Sequence, residues 1–475
     1  GEKAKVYVDN LRLARKDAPK PAALAEPMQV LNLDYGWSEE LKKIPPLPKR
    51  NFTRTAGPVE QLGPVTLPKI DFGKSPPSKG PFGEGGDYGT PSVRGVVAYD
   101  NQRMLLVVQP SRLLATFDGG ATWKGMDGKT PGPTTINIIG GHAGLGTGFY
   151  SGDAYIMART SVRTKADSAG QLSWEAFSDY RCHGGGSVTV TSLFPVIFQG
   201  DRWELGPRVL LDQHIRHCPS GQPIFLQLKS GRVWGFWDSD RNVQGGFHVV
   251  AKYSDDGGLS WKFPGRYPSI FGLRSMSAAG FMPIPYKDQV AIVWNDRSGS
   301  VHWSFFDGKQ FSGPQPLDPG AQMESAAALP DGTVFVALKP KNGKAGGLSA
   351  KRLEGGQWKA EVLDDGAAGG TGPVAMTASG SKAFCFWVRK EIKDGADSYV
   401  LLYSAAGPQA GWSAPVEFAR ETGPVHRIVT PEVAPPDYAP VFWDSQYDKN
   451  TSPTNAWIRF VRVPPHKPWK TRTGK

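Results

Sequence analysis

The chain has 475 residues, enough for several ordinary domains or one large repeat architecture, so the size of the core is not limiting. Apolar residues make up 39% and charged residues 21%, and 58 Gly, 41 Pro, 15 Trp and 23 Phe describe a globular, turn-rich and strand-rich protein rather than an all-helical one. The formal net charge of +11 favours anionic partners, but the basic residues are dispersed and there is no zinc-finger spacing or RNA-binding signature, which speaks against nucleic acid. No stretch approaches the ~18 to 20 apolar residues of a membrane span, and Gly1-Glu2-Lys3-Ala4-Lys5 lacks a signal peptide's apolar core.

Residues 1–90 are punctuated by Pro19 to Pro21, Pro45 to Pro48 and Pro76-Pro77 and read as an extended arm. Their opening, Lys5-Val6-Tyr7-Val8-Asp9-Asn10-Leu11-Arg12-Leu13, alternates like one strand. It resembles the last strand of a jelly-roll carbohydrate-binding domain, so the arm reads as the remnant of an upstream domain. Part of the arm is expected to add a strand to the end of the fold that follows. Residues 464–475 form a basic C-terminal tail.

Between them, over 91–463, one pattern returns: a small-residue or β-branched strand, a Gly/Asp/Asn turn, and a second strand rich in aromatics. The copies lie at 93–108, 142–159, 221–238, 278–296, 325–339, 373–389 and 428–444. Their second strands include Val233-Trp234-Gly235-Phe236-Trp237-Asp238, Val290-Ala291-Ile292-Val293-Trp294-Asn295-Asp296, Ala383-Phe384-Cys385-Phe386-Trp387-Val388 and Pro440-Val441-Phe442-Trp443-Asp444. Such repetition predicts an all-β propeller of four-stranded blades, seven by this count, with six as the alternative if one copy is an insertion.

Two segments carry a sharper signal, Thr116-Phe117-Asp118-Gly119-Gly120-Ala121-Thr122-Trp123 and Ser254-Asp255-Asp256-Gly257-Gly258-Leu259-Ser260-Trp261, with a degenerate echo at Phe306-Asp307-Gly308-Lys309-Gln310-Phe311. Both resemble the Asp box of the sialidase-like (BNR-repeat) propellers. That resemblance implies a hairpin between third and fourth strands, on the face away from the active site. Asp118 and Asp256 then serve as turn braces, and Trp123 and Trp261 as packing residues.

In a propeller, first strands start and second strands end on one face, and ligands bind in the funnel there. The strand starts carry Arg94, His142, Arg216 with His217, Arg274, Glu324, and His426 with Arg427. The second-strand ends carry Arg159, Arg163, Asp238, Asp240, Arg241, Asp296, Arg297, Arg389, Asp444 and Tyr447. These groups either pair with one another across blades or leave an anion site, since guanidinium groups grip carboxylate and sulfate as a fork. For the second reading, Arg94, Arg163, His217, Arg241, Arg274, Arg297, His426 and Arg427 are the candidate substrate-binding residues.

The longest insertion, 164–187, should overhang the funnel and contains Asp179-Tyr180-Arg181-Cys182-His183, while His214-Ile215-Arg216-His217-Cys218 opens the third blade on the same face. Cys182 and Cys218 form a disulfide, or join His183 and His214 in a zinc site, or are unrelated neighbours; the lack of a regular ligand spacing favours the disulfide. With Cys385 as the third cysteine, one bridge and one buried thiol fit an exported protein.

Arg94 in Ser92-Val93-Arg94-Gly95 looks like the first arginine of the sialidases. Their acid/base Asp is missing, because Gln109-Pro110-Ser111 leads almost directly into the strand before the first box, and Tyr403 lies inside a third strand rather than at a strand start. The seven-bladed polysaccharide lyases acting on ulvan and related uronate glycans are a nearer analogy. There a His and a Tyr move the protons and an Arg neutralises the uronate carboxylate. By that resemblance His142 is the base, Tyr180 the acid and Arg216 the neutraliser. The expected function is β-elimination on an acidic polysaccharide; a sialidase-type exo-glycosidase and a noncatalytic glycan-binding propeller are the alternatives. No cofactor is required, a structural zinc or calcium ion being the one metal role left open. The resemblance implies an extracellular or periplasmic location.

Overall fold

A strand such as Ala383-Phe384-Cys385-Phe386-Trp387-Val388 has no polar face, so both its sides must be covered. In the computed structural model they are: Cys385 and Trp387 enter one hydrophobic cluster, and Phe384, Phe386 and Val388 enter the next. The structure describes residues 5–7, 12–14, 65–67, 92–100, 102–109, 112–135, 143–146, 154–166, 172–177, 187–199, 201–205, 209–215, 224–239, 248–256, 258, 260–264, 280–296, 299–341, 347–354, 356–366, 370–436, 438–445 and 457–463. Among these residues the fold is all-β, and no helix is long and apolar enough to cross a membrane.

Apart from a short hairpin, the strands form seven sheets among the described residues. Their first strands are Ser92–Ala98, Ala143–Gly146, Ile224–Gln227, Phe281–Tyr286, Ala321–Ala328, Thr371–Ser379 and Ile428–Val429. Each of these touches the next in chain order, and the last returns to the first, so they close a ring around one axis. Six hydrophobic clusters each span two consecutive sheets, so the core lies between sheets rather than inside any one of them. This radial arrangement is a β-propeller. The indoles of Trp234, Trp387 and Trp443 are fully buried in it. Each contributes on the order of 5 kcal/mol of gross apolar burial, before conformational entropy is charged against it.

The ring is fastened by chain from both ends. Val65–Thr66, from within the N-terminal arm, pairs antiparallel with Trp457–Val463, Val65 opposite Phe460 and Thr66 opposite Arg459. Sheet seven is thus finished on its outer edge by residues that precede sheet one. The turn after the third strand of sheet one packs back onto it: the Trp123 ring meets Phe442 edge-on with centroids 5.6 Å apart, and Trp123 Nε1 donates to the Gly120 carbonyl at 3.1 Å.

Two placements differ from the sequence expectation. The opening residues make two strands, Lys5–Tyr7 and Arg12–Ala14, paired antiparallel, instead of one; Asp9 and Asn10, types that favour turns, stand between them. His214 belongs to Val209–Ile215, which pairs with Ser187–Gln199 of sheet two, and not to the opening of sheet three, whose first strand is Ile224–Gln227. The 13-residue strand Ser187–Gln199 is too long for the short strand Arg202–Leu205 to cover, so its upper half takes a second edge partner.

Gly120 tests the closure. It holds φ at +98°, and a Cβ there would drive into the Phe460 ring. Gly120→Ala should cost about 2 kcal/mol or more, from positive-φ strain plus overpacking. The check is denaturant unfolding; a midpoint equal to wild type would show that the turn does not brace the seam between sheets one and seven.

Candidate functional site

Because successive strands run antiparallel, first strands start and second strands end on one face, called here the upper face. Three first strands have a bulge just inside it, those of sheets one, five and six; in sheet six the pairing skips from Thr371 to Val374. In sheet one the pairing skips from Val93 to Gly95, leaving Arg94 as the extra residue; in sheet five it skips from Met323 to Ser325, leaving Glu324. A bulge re-aims its side chain, and such positions are common beside binding sites.

In sheets one and five the residue before the bulge is pinned by the preceding sheet. Val93 donates its N–H to Asp444 Oδ1 at 3.4 Å, and its carbonyl accepts from Arg427 Nη1 at 3.2 Å. Met323 donates to Asn295 Oδ1 at 2.9 Å, and its carbonyl receives Asn295 Nδ2 at 3.5 Å. Asn295 and Asp444 each follow a second-strand tryptophan, Trp294 and Trp443. A carboxylate or amide there satisfies peptide groups that no neighbouring strand can reach.

Around this framework the charges are paired. Glu324 bonds Lys339 Nζ at 3.0 Å, and that ammonium also donates to the Gly372 carbonyl of sheet six. Asp296 meets His302 Nε2 at 2.8 Å. Arg389 contacts Asp364 at 3.5 Å and Glu391 at 3.0 Å, while Trp387 Nε1 donates to Asp364 at 2.8 Å. Sheet seven repeats that last device: Trp443 Nε1 donates to Glu421 at 2.8 Å, and Arg459 lies 3.3 Å from the same oxygen. Burial raises the Glu391 carboxyl, but hydrogen bonds from Arg420 and Arg389 outweigh it and hold the group below its ordinary value.

Sheet two is built differently. Ala154–Ala166 and Ser187–Gln199 have 13 residues each and outrun the first strand, which reaches only Ala158; beyond it Leu172–Phe177 pairs along residues 161–166. At about 3.3 Å per residue this carries a sheet some 25 Å past the ring. Arg163 stands opposite both Glu175 and Ser187, and His214 opposite Thr189, so the two lie on this raised sheet.

The sequence candidates therefore divide. Arg94 is the bulge residue of sheet one, and Arg163 and His214 are placed by register as above. Arg427 spends its guanidinium on the Val93 carbonyl, and His426 beside it is exposed. His142, Tyr180, Cys182, His183, Arg216, His217, Cys218, Arg241, Arg274 and Arg297 lie outside the described residues. Among the described residues no group of three or more His, Cys, Asp or Glu could hold a metal ion. Cys385 is buried and free, and burial pushes its thiol up, which makes it an inert core residue. Sequence reasoning missed Asn295 and Lys339; the Trp-Asn and Trp-Asp steps shared by second strands were the available signal for the first.

The other face holds the aspartate turns. Asp118 accepts the Thr122 N–H at 2.9 Å and the Thr122 and Thr116 hydroxyls at 2.5 and 2.8 Å. Asp256 repeats this with Ser260 and Ser254. Thr116 is paired with Met104, at the end of the sheet away from Arg94.

No protein-family model matches the chain, and no curated protein matches it. The structural neighbours are β-propeller proteins. One, described as "YCF48 bound to D1 peptide", is 13% identical with a TM-score of 0.46, over 87% of this chain and 99% of that one. A mutant Aleuria aurantia lectin in complex with alpha-methyl-L-fucoside is 13% identical with a TM-score of 0.38, over 66% and 97%. The Penicillium chrysogenum alpha-L-arabinanase complexed with arabinobiose is 12% identical with a TM-score of 0.36, over 64% and 93%.

The turn chemistry has a pH signature. Burial acts to raise the Asp118 carboxyl, but the bonds from Thr122 and Thr116 prevail and lower it. A carboxyl lowered by folding stabilises above its unfolded value, and that share is lost as pH falls through the folded value. Thermal melts on acidification should therefore fall more steeply for wild type than for Asp118→Asn, which starts lower at neutral pH by about 1 kcal/mol. Parallel curves for the two proteins would refute the assignment.

Proposed function

We propose that the protein is a carbohydrate-active propeller that cleaves an acidic polysaccharide by β-elimination at its upper face. The observation that supports this reading is the division of charge on that face. On sheets four to seven the acids and bases answer one another, as Glu324 with Lys339, Asp296 with His302, and Arg389 with Asp364 and Glu391. Among the candidates, Arg94, Arg163 and Arg216 in the chain of sheets one to three are assigned to substrate foremost, with His217 and Arg241 there and Arg274 and Arg297 flanking the first two strands of sheet four in sequence. That sector also carries the raised sheet with Arg163 and His214. The bonds braced by Asp118 and Asp256 support membership of the sialidase-like propellers, and a seven-bladed count accords with the ring of first strands.

The chemistry needs three groups. Arg216 neutralises the uronate carboxylate, so that the proton on the adjacent carbon can leave. His142 takes that proton; the electron pair forms the new double bond as the glycosidic C–O bond breaks, and Tyr180 delivers a proton to the departing oxygen. The Cys182 and Cys218 pair would brace the loops as a disulfide, in keeping with an extracellular or periplasmic location.

Incubation with uronate polysaccharides, sialosides and sulfated algal glycans separates the classes. The expected outcome is an ultraviolet-absorbing 4,5-unsaturated product from a uronate polymer. His142→Ala should reduce its rate by about two to four orders of magnitude, and Arg216→Ala by a similar factor, while Asp118→Ala keeps the rate and loses stability. Reducing sugar without the absorbance would make the protein a hydrolase, and retained binding without any product a lectin-like module.

A further inference from the structure

After Val429 the chain leaves its own sheet. Ile428–Val429 pairs with Trp443 and Phe442 of sheet seven, but Val433–Ala434 pairs in parallel with Ala378 and Ser379 of sheet six. The strand order places it beyond Thr371–Ser379, on the inner edge that faces the axis, at the lower end of the sheet where Ser379 turns back to Lys382. Side-chain hydroxyls tie it down. Ser379 Oγ donates to the Pro435 carbonyl at 2.5 Å, while Thr430 Oγ1 to the Met376 carbonyl and Thr377 Oγ1 to the Glu432 carbonyl are both 3.3 Å.

Within this segment lies Glu432, both of whose carboxyl oxygens are cut off from water and have no hydrogen-bond partner among the described residues. Burial pushes the group well above the usual carboxylate range. Among the described residues at this lower end, Arg103 is paired with Asp100, Arg462 lies over the Tyr438 ring, and Lys382 stands opposite Ser379. Thr371–Ser379 contains no ionisable residue. Ala439–Ser445 brings only Asp444, bound to the Val93 N–H, and Ala321–Ala328 brings Glu324, held by Lys339. The residues just before the segment are His426 and Arg427, the latter on the Val93 carbonyl, and sheet one's first strand carries Arg94 at its far, upper end.

We propose that residues 430–436 form an inner-edge plug, seated on sheet six only while Glu432 is uncharged and letting go as the group ionises. A carboxylate cannot remain ionised in an unpaired, dry position. The cheapest response is to carry it into water, and the backbone of the segment that carries it is paired to sheet six over two residues, Val433 and Ala434.

Hydrogen exchange measured by mass spectrometry across a pH series, corrected for intrinsic exchange, tests this. Peptides covering 430–436 should lose protection by up to about tenfold per pH unit as pH rises from the ordinary carboxylate range to the raised titration of Glu432, while peptides from Val334–Pro340 and Lys382–Lys393 hold theirs. In Glu432→Gln, and in Glu432→Leu as a second neutral variant, protection of 430–436 should be independent of pH. Flat protection in wild type, the same decline in either variant, or a decline shared by all peptides would overturn the plug.

Discussion

The propeller depends on how one sheet takes hold of the next. Apolar surface glues neighbouring sheets but has no direction, and would allow them to slide or rotate. Direction comes from the residue after the second-strand tryptophan. Asn295 grips both peptide groups of Met323, and Asp444 with Arg427 grips both of Val93. In the same step the tryptophan itself turns the other way: Trp443 donates its indole N–H to Glu421, and Trp387 donates to Asp364. The second strands of sheets four, six and seven are therefore fixed to the sheet behind by an indole, or to the sheet ahead by an amide or carboxylate, and sheet seven uses both. Removing one partner would strand a buried acid or peptide group, which costs more than the bond contributes.

This arrangement explains why the bulges of sheets one and five sit where they do. A first strand whose entry residue is held by the sheet behind cannot also stay in register with its own second strand. The mismatch is released one residue later, at Arg94 and at Glu324. In sheet five the displaced carboxylate finds Lys339 and becomes part of the scaffold. The equivalent position in sheet one is an arginine, and Lys339 has there the counterpart Gln109, a neutral side chain at the end of the second strand. The same backbone device thus yields a structural pair on one side of the ring and a cation beside the proposed site on the other.

The repeat was legible because propeller sheets are buried on both faces, so second strands are written as unbroken apolar runs ending in Trp-Asp or Trp-Asn, a pattern that short-range sequence reading detects. The aspartate turns were equally plain, since Asp118 and Asp256 bond within four residues of themselves. What sequence order could not convey was partnership between distant residues. Asp444 read as a funnel acid, and its attachment to Val93 spans 351 positions. Arg427 read as a substrate ligand for the same reason. His214 was placed one sheet too late because the extra length of Ser187–Gln199, which makes Val209–Ile215 an edge partner, is a property of the pairing and not of either segment alone.

Sheet two shows how the fold reconciles a rigid ring with a variable site. Loops tolerate insertion but position side chains loosely, and strands position them well but leave little room for change. Extending two paired strands beyond the ring and covering both edges, one by Leu172–Phe177 and the other by Val209–Ile215, produces an insertion that is itself a sheet. Register then sets the spacing of what it carries. Arg163 and His214 are separated by the central strand Ser187–Gln199, opposite residues Ser187 and Thr189, on the same side of the ring as Arg94. The ring's own charged pairs can stay locked for stability, because Arg163, one of the groups assigned to substrate, stands beyond the ring on a strand paired along both edges.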